Sequence, residues 1–208
     1  MRKPTPLPQA LPAFDRQLRH RHKLKLRELA GLDEAGRGPL AGPIVVSAVV
    51  LYNSRFTLPV NDSKKMTPSA RVAACGAILR QAAVGIGVAL PEEIDRLGIE
   101  AAWGLAMRRA AGRLSILPKL ALVDGNRLPP GLPFPAQPLV QGDGRSLVIA
   151  AASVVAKVTR DRLMERLHRL VPEYRFERHK GYGTAEHLKL LKTIGPSPFH
   201  RYSFEPLR

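Results

Sequence analysis

The sequence predicts an α/β domain, and three observations carry that expectation. Pro43 to Leu51 is a β-branched apolar run of strand length, suited to the centre of a sheet. The stretch that opens at Ser146 is long and free of helix breakers until Pro172. Between them, short apolar runs alternate with proline-opened helical segments, and strands alternating with helices build α/β architectures.

Taken in order, Glu28 to Asp33 is expected to pair beside the Pro43 to Leu51 strand. Thr67 followed by Pro68 supplies an N-cap and a proline at the first helical position, opening a helix through about Arg80. Val84 to Leu90 returns as a strand. Pro91-Glu92-Glu93-Ile94 starts a helical stretch that breaks near Gly98 and continues through Arg113. Lys119 to Val123 is the next strand and delivers Asp124 to its C-terminal end; Pro138 to Gln141 is a short strand that delivers Asp143. The helix after Ser146 is apolar all round at first and amphipathic later. Its small residues Ala150, Ala151, Ala152, Ser153 and Ala156 suit close packing against a sheet. A soft domain boundary is expected near Val171, dividing 28–171 from 172–208.

Residues 1–27 read as a flexible tail, rich in proline (Pro4, Pro6, Pro8, Pro12) and in base from Arg16 to Arg27, with nonspecific attraction to phosphate. The stretch lacks the apolar segment of a secretory signal, and its prolines oppose an amphipathic transit helix. No run approaches the roughly 18 apolar residues of a membrane span, so no membrane association is expected. With 33 Lys and Arg against 17 Asp and Glu, the net charge is +16, which suits a polyanionic partner through counterion release. Cys75 is the sole cysteine, which excludes an intramolecular disulfide and a multi-cysteine zinc site. A reducing cytoplasm is the expected setting, and a monomer the expected state.

In a chain with few acids, four follow apolar runs and stand beside glycines: Asp33 and Glu34, Asp124, and Asp143. Singly, each also fits an acidic turn. Together they imply a cation or raised pKa values, because burying several unpaired carboxylates is costly. Consecutive strand residues point to opposite faces, so for Asp33 and Glu34 to converge the strand must twist or end there. Tyr182 stands between Gly181 and Gly183, uncovered by its neighbours, which suits stacking on a sugar or base. His179, His187 and His200 have no zinc-ligand spacing and read as hydrogen-bonding or phosphate-side residues, satisfied structural histidines being the favoured alternative.

The segments Gly31-Leu32-Asp33-Glu34-Ala35-Gly36-Arg37-Gly38-Pro39-Leu40-Ala41-Gly42-Pro43, Asp62-Ser63-Lys64-Lys65, Val123-Asp124-Gly125, Gly142-Asp143, Ala150 to Asp161, His179 to Thr184, His200-Arg201 and Ser203-Phe204 together resemble ribonuclease HII, the type 2 ribonuclease H, of bacterial kind. The resemblance runs from about Glu28 to the C-terminus, and the Gly36-Arg37-Gly38 triplet sets the chain apart from ribonuclease HIII. It implies a ribonuclease H-like mixed sheet flanked by helices, with a small helical C-terminal region. It also implies that Asp33, Glu34, Asp124 and Asp143 hold Mg2+ or Mn2+ in a two-metal site. Hard oxygen donors without thiolates agree with those ions. The implied substrates are RNA–DNA hybrids and duplex DNA carrying ribonucleotides, cut on the 5′ side to leave a 3′-hydroxyl. Gly36, Arg37 and Gly38 are expected to read the 2′-hydroxyl and Tyr182 the sugar beyond the junction, with Lys64, Ser146 and Lys180 completing the substrate-binding set.

Two rival classes are a passive basic RNA-binding protein and another nuclease or strand-transfer enzyme on the same fold. The clustered acids oppose the first, since carboxylates in a basic groove repel phosphate. The Gly-Arg-Gly triplet paired with Tyr182 opposes the second. A glycine-loop nucleotide-binding protein is a weaker reading still, since no Gly-Lys-Ser/Thr follows the glycines.

Overall fold

The computed structural model describes residues 10–53 and 66–208. Its centre is a five-stranded mixed sheet built from β1 (Leu29–Ala35), β2 (Ile44–Leu51), β3 (Ala82–Ala89), β4 (Leu120–Asp124) and β5 (Ala136–Leu139), in the order β3-β2-β1-β4-β5. β1 is antiparallel to β2 and β2 to β3, while β4 runs parallel to both β1 and β5. The helices are α1 (Ala10–Arg21), α2 (Pro68–Gln81), α3 (Pro91–Leu97), α4 (Ile99–Gly112), α5 (Leu147–Leu170), α6 (Phe176–His179) and α7 (Ala185–Ile194).

The sheet separates two cores. On one face Leu29, Val49, Leu51, Leu120 and Leu122 pack against the Leu147 to Val158 side of α5 and against Ile78 of α2. On the other, Ala30, Leu32, Val46, Ala48 and Val123 meet Trp103, Ala106, Met107 and Ala110 of α4. All eight residues of β2 are buried, as its uninterrupted apolar run demands. The close approach of α5 depends on the sheet as well as on its own small residues: a Cβ on Gly31 would stand 2.2 Å from the Val148 carbonyl carbon. After α5 the chain forms a smaller core of Tyr174, Phe176 and Leu191, which still includes Leu40, Ala41 and Met164 from the larger part.

The expected elements appear with shifted ends. Thr67 caps α2 by accepting the Ala70 N–H, and Gly98, at φ +77°, separates α3 from α4. β5 begins two residues earlier than expected and stops before Gln141, whose φ of +54° turns the chain out of the sheet. Pro138 is tolerated because β5 is an edge strand. Lys64 and the rest of its motif lie outside the described residues. Among the described residues no helix is long and apolar enough to cross a membrane.

The expectation of a flexible tail through residue 27 is corrected for residues 10–21, which form α1. Pro12 falls in its first turn, where the missing N–H breaks no helical bond. Leu18 is buried and Phe14 packs on the α5-side core. Asp15 is buried too, its Oδ2 accepting the Val148 N–H at 3.1 Å. Burial pushes its carboxyl up to about 6 from the ordinary 3.8, against the lowering pull of Ser146, the α5 amides and Arg19. The contribution of Asp15 to stability is therefore fully present below about pH 4 and is lost as pH rises through about 6. Asp15→Asn keeps an acceptor for Val148 and is expected to gain on the order of 3 kcal/mol relative to the parent between pH 4 and pH 7. Urea melts at the two pH values measure that difference; an equal offset at both would refute the burial penalty.

Candidate active site

The C-terminal ends of the parallel neighbours β1 and β4 bring three carboxylates to one edge of the sheet. β1 does not end at Asp33: it pairs with β2 through Asp33, Glu34 and Ala35, while its pairing with β4 stops at Leu32. The two adjacent acids therefore keep opposite faces. Asp33 follows Gly31 on the α5 face, where Ser153 hydrogen-bonds its side chain and its Oδ1 accepts the Glu34 N–H at 2.7 Å. Glu34 follows Leu32 on the α4 face, where its Oε2 accepts from Trp103 Nε1 at 3.1 Å. Asp124 stands at the tip of β4. Its Oδ1 accepts the Gly142 N–H at 2.7 Å, which ties β4 to the 3-10 turn Gly142–Gly144 that carries Asp143.

All four acids line one cleft of about 290 Å³, together with Gly36 and Tyr182. A second cleft of about 310 Å³ shares Glu34 and Asp124 with the first and is bounded by Arg37, Glu100 and Trp103. Burial, then repulsion from Glu34 and Asp124, holds the Asp33 carboxyl well above the ordinary carboxylate range. Burial also raises Glu34, opposed by the Trp103 hydrogen bond and the Arg37 charge. Among the described residues no three His, Cys, Asp or Glu side chains converge closely enough to form a ready-made metal cage. The physical reason lies in the strand: Asp33 and Glu34 face apart and each is engaged by its own neighbour. The donor set nonetheless fits a hard divalent cation, because a positive charge between these walls would relieve the repulsion that raises both β1 acids.

Beside the acids, the loop from Gly36 to Pro43 is fixed from within by two buried arginines. Arg201 donates to the carbonyls of Gly36 (2.6 Å), Arg37 (2.8 Å) and Gly42 (2.8 and 3.0 Å). Arg160 donates to Pro43 (3.0 Å), Ala41 (3.1 Å) and Lys180 (3.0 Å). Gly36 needs to be glycine on two counts: its φ is +95°, and a Cβ there would lie 2.0 Å from Arg160 Nε. At Gly38 a Cβ would meet nothing. The Arg37 side chain pairs with Glu100 and lies 5.2 Å from the Trp103 ring.

Tyr182 is half exposed in the acid-lined cleft, with the Arg160 guanidinium 5.8 Å from its ring. A histidine chain holds its backbone. The Ser197 N–H donates to His200 Nδ1 at 2.9 Å, so His200 carries its proton on Nε2 and donates to His187 Nε2 at 2.9 Å. His187 Nδ1 in turn donates to the Tyr182 carbonyl at 2.9 Å. Burial keeps all three histidines below their ordinary value, His200 at about 4, and they are structural.

Two expected substrate residues sit differently from the rest. Ser146 is fully buried as the N-cap of α5, accepting the Ile149 N–H, and does not reach the cleft; a cap must face the helix it closes. The Lys180 ammonium pairs with Glu165 at 2.9 Å. Sequence reasoning missed Trp103, Lys157, Arg160 and Arg201 as parts of the site. Lys157 and Arg160 lie inside a recognised motif, and Arg201 follows His200, but nothing local announces their partners.

The family model for ribonuclease HII matches residues 30–206. The chain is 51% identical over 180 residues to the ribonuclease HII of Maricaulis maris, covering 86% of this chain and 83% of that one. In three dimensions it is similar to the ribonuclease H2 of Pyrococcus horikoshii, with a TM-score of 0.72, 27% identity and coverage of 86% and 95%. It shares its fold with Bst ribonuclease HIII solved in complex with Mn2+, at a TM-score of 0.65 and 21% identity, covering 89% of this chain and 73% of that one. With matched sequence running from the first strand into the last turns of the C-terminal region, the chain belongs to the ribonuclease HII family and is a nuclease.

Proposed function

We propose that the protein is a metal-dependent endoribonuclease that hydrolyses the RNA strand of RNA–DNA hybrids and incises duplex DNA on the 5′ side of embedded ribonucleotides, acting as a monomer in the cytoplasm. The observation that carries this reading is the single cleft in which Asp33, Glu34, Asp124 and Asp143 face Gly36 and Tyr182. The four carboxylates would hold Mg2+ or Mn2+. Bound there, the ions would supply a water nucleophile and neutralise the entering and leaving oxygens of an in-line displacement.

The residues around them select and orient the strand. Carbonyls of Gly36 and Arg37 are already engaged by Arg201, which leaves backbone amides as the loop's offer to a phosphate or a 2′-hydroxyl oxygen. The bare Gly38 keeps the approach open for a sugar-phosphate backbone. The exposed Tyr182 ring can stack on the sugar beyond the RNA–DNA junction, and Lys157 brings a cation to the same cleft.

The direct test is a duplex carrying one ribonucleotide, incubated with and without Mg2+ or Mn2+, beside an all-DNA duplex. Incision 5′ of the ribonucleotide only with metal is the expected result. Tyr182→Ala is expected to slow that incision by about tenfold, the equivalent of one lost stacking contact, and to slow a continuous hybrid less. Equal slowing on both substrates would make the tyrosine a structural residue.

A further inference from the structure

We propose that the solvent face of α1, with the segment that follows it, is a second nucleic-acid contact that grips the phosphate backbone of a duplex leaving the acid-lined cleft. The proposal rests on the hybrid-cleaving reading above and extends it beyond the cleft. α1 sorts its side chains cleanly: Asp15 and Leu18 turn inward, while Arg16, Gln17, His20 and Arg21 are exposed and line a shallow groove of about 450 Å³. Lys23 and Lys25 continue the exposed basic row. Among the described residues none of Arg16, Arg21 and Lys23 forms an ion pair, and Lys25 feels Glu28 only through space. A basic row of this kind attracts a polyanion and releases its counterions.

The row is also rigidly joined to the active-site edge. Asp15 accepts the Val148 N–H, and the guanidinium of Arg145, two residues beyond Asp143, lies 5.4 Å from the Phe14 ring. From that junction at Asp15 to its end at Arg21 the helix extends about 9 Å, the reach of about three phosphates along one strand. A nucleic acid is favoured over an acidic protein because the groove is shallow, lined by the charged and polar residues Arg16, Gln17, His20 and Arg21, and without an aromatic or aliphatic residue to anchor a protein partner.

The test is the variant Arg16→Gln/Arg21→Gln/Lys25→Gln, whose changes touch only exposed side chains, with Arg16→Gln/Arg21→Gln as a second variant if the first melts early. Binding to a hybrid of about 18 base pairs and to one of about 6 is measured across a salt series without divalent cations. For the long hybrid, the slope of log affinity against log salt is expected to fall by about 2, and low-salt affinity by at least about tenfold. The short hybrid, confined to the cleft, should bind as before, and the cleavage rate at saturating long hybrid with Mg2+ should not change. An unchanged slope, or equal loss on both lengths, overturns the proposal. Failure of the unsubstituted protein to bind any hybrid would instead overturn the proposed function.

Discussion

Asp124→Asn is expected to lower single-turnover cleavage of an RNA–DNA hybrid by at least about 10³-fold at saturating Mg2+, since lost metal-borne charge stabilisation is worth several kcal/mol. Asp124 is the acid to choose because it walls both clefts and stands between the divergent β1 pair. The substitution also isolates charge from shape. Its Oδ1 accepts the Gly142 N–H, and an asparagine oxygen can keep that bond and so hold the Asp143 turn in place. The melting transition and metal-free hybrid binding should therefore persist, while direct Mn2+ binding, read by calorimetry, weakens. Turnover near that of the parent would remove Asp124 from the metal set. Loss of the melt would show that the carboxylate serves the turn rather than the chemistry.

The acids were legible in the sequence because each ends an apolar run beside glycine, and a strand followed by an acidic turn leaves a local mark. The same holds for α2, announced by Thr67-Pro68, and for β2, announced by its β-branched run. The β1 geometry was only half legible. Side-chain alternation sets Asp33 and Glu34 apart, and of the two expected ways for them to converge, a twist or an end of the strand, the end is not found, since β1 stays paired with β2 through Ala35. A cleft at the sheet edge receives side chains from both faces, with Asp124 of β4 between them. α1 was hidden by composition: proline and arginine outweighed the few apolar residues that dock it, and Asp15 finds its partner 133 residues away. Ser146 hides its structural role for the opposite reason, since in the sequence a serine next to an acidic turn shows no sign of the helix that its side chain caps. The hydrogen bonds of Arg160 and Arg201 to the glycine loop span 117 to 165 residues, and no periodicity or local motif encodes such a distance.

Arg201→Lys is expected to destabilise the protein by about 2–4 kcal/mol and to slow single-ribonucleotide incision by more than about tenfold per folded molecule. Arg201 has no solvent exposure and its hydrogen bonds go only to backbone carbonyls, so oriented dipoles hold its charge directly while the Asp95 carboxylate supports it only through space. Burial and the neighbouring Arg160 charge pull it down to about 9, still ionised at neutral pH. Lysine preserves that charge but not the fork: one ammonium cannot meet the carbonyls of Gly36, Arg37 and Gly42 together, and those left behind are buried and unsatisfied. The loop they belong to then loses its fixed shape, and with it the amides offered to the 2′-hydroxyl. Urea melts give the stability term. Rates on single-ribonucleotide and continuous hybrid duplexes, scaled to folded protein, give the functional one. Because the clamp shapes the loop without touching the acids, the single-ribonucleotide duplex should suffer more than the continuous hybrid, where neighbouring 2′-hydroxyls offer alternative registers. A destabilised Arg201→Lys that cuts both duplexes at the parental rate per folded molecule would confine the clamp to folding and leave strand selection to Tyr182 and the bare glycines.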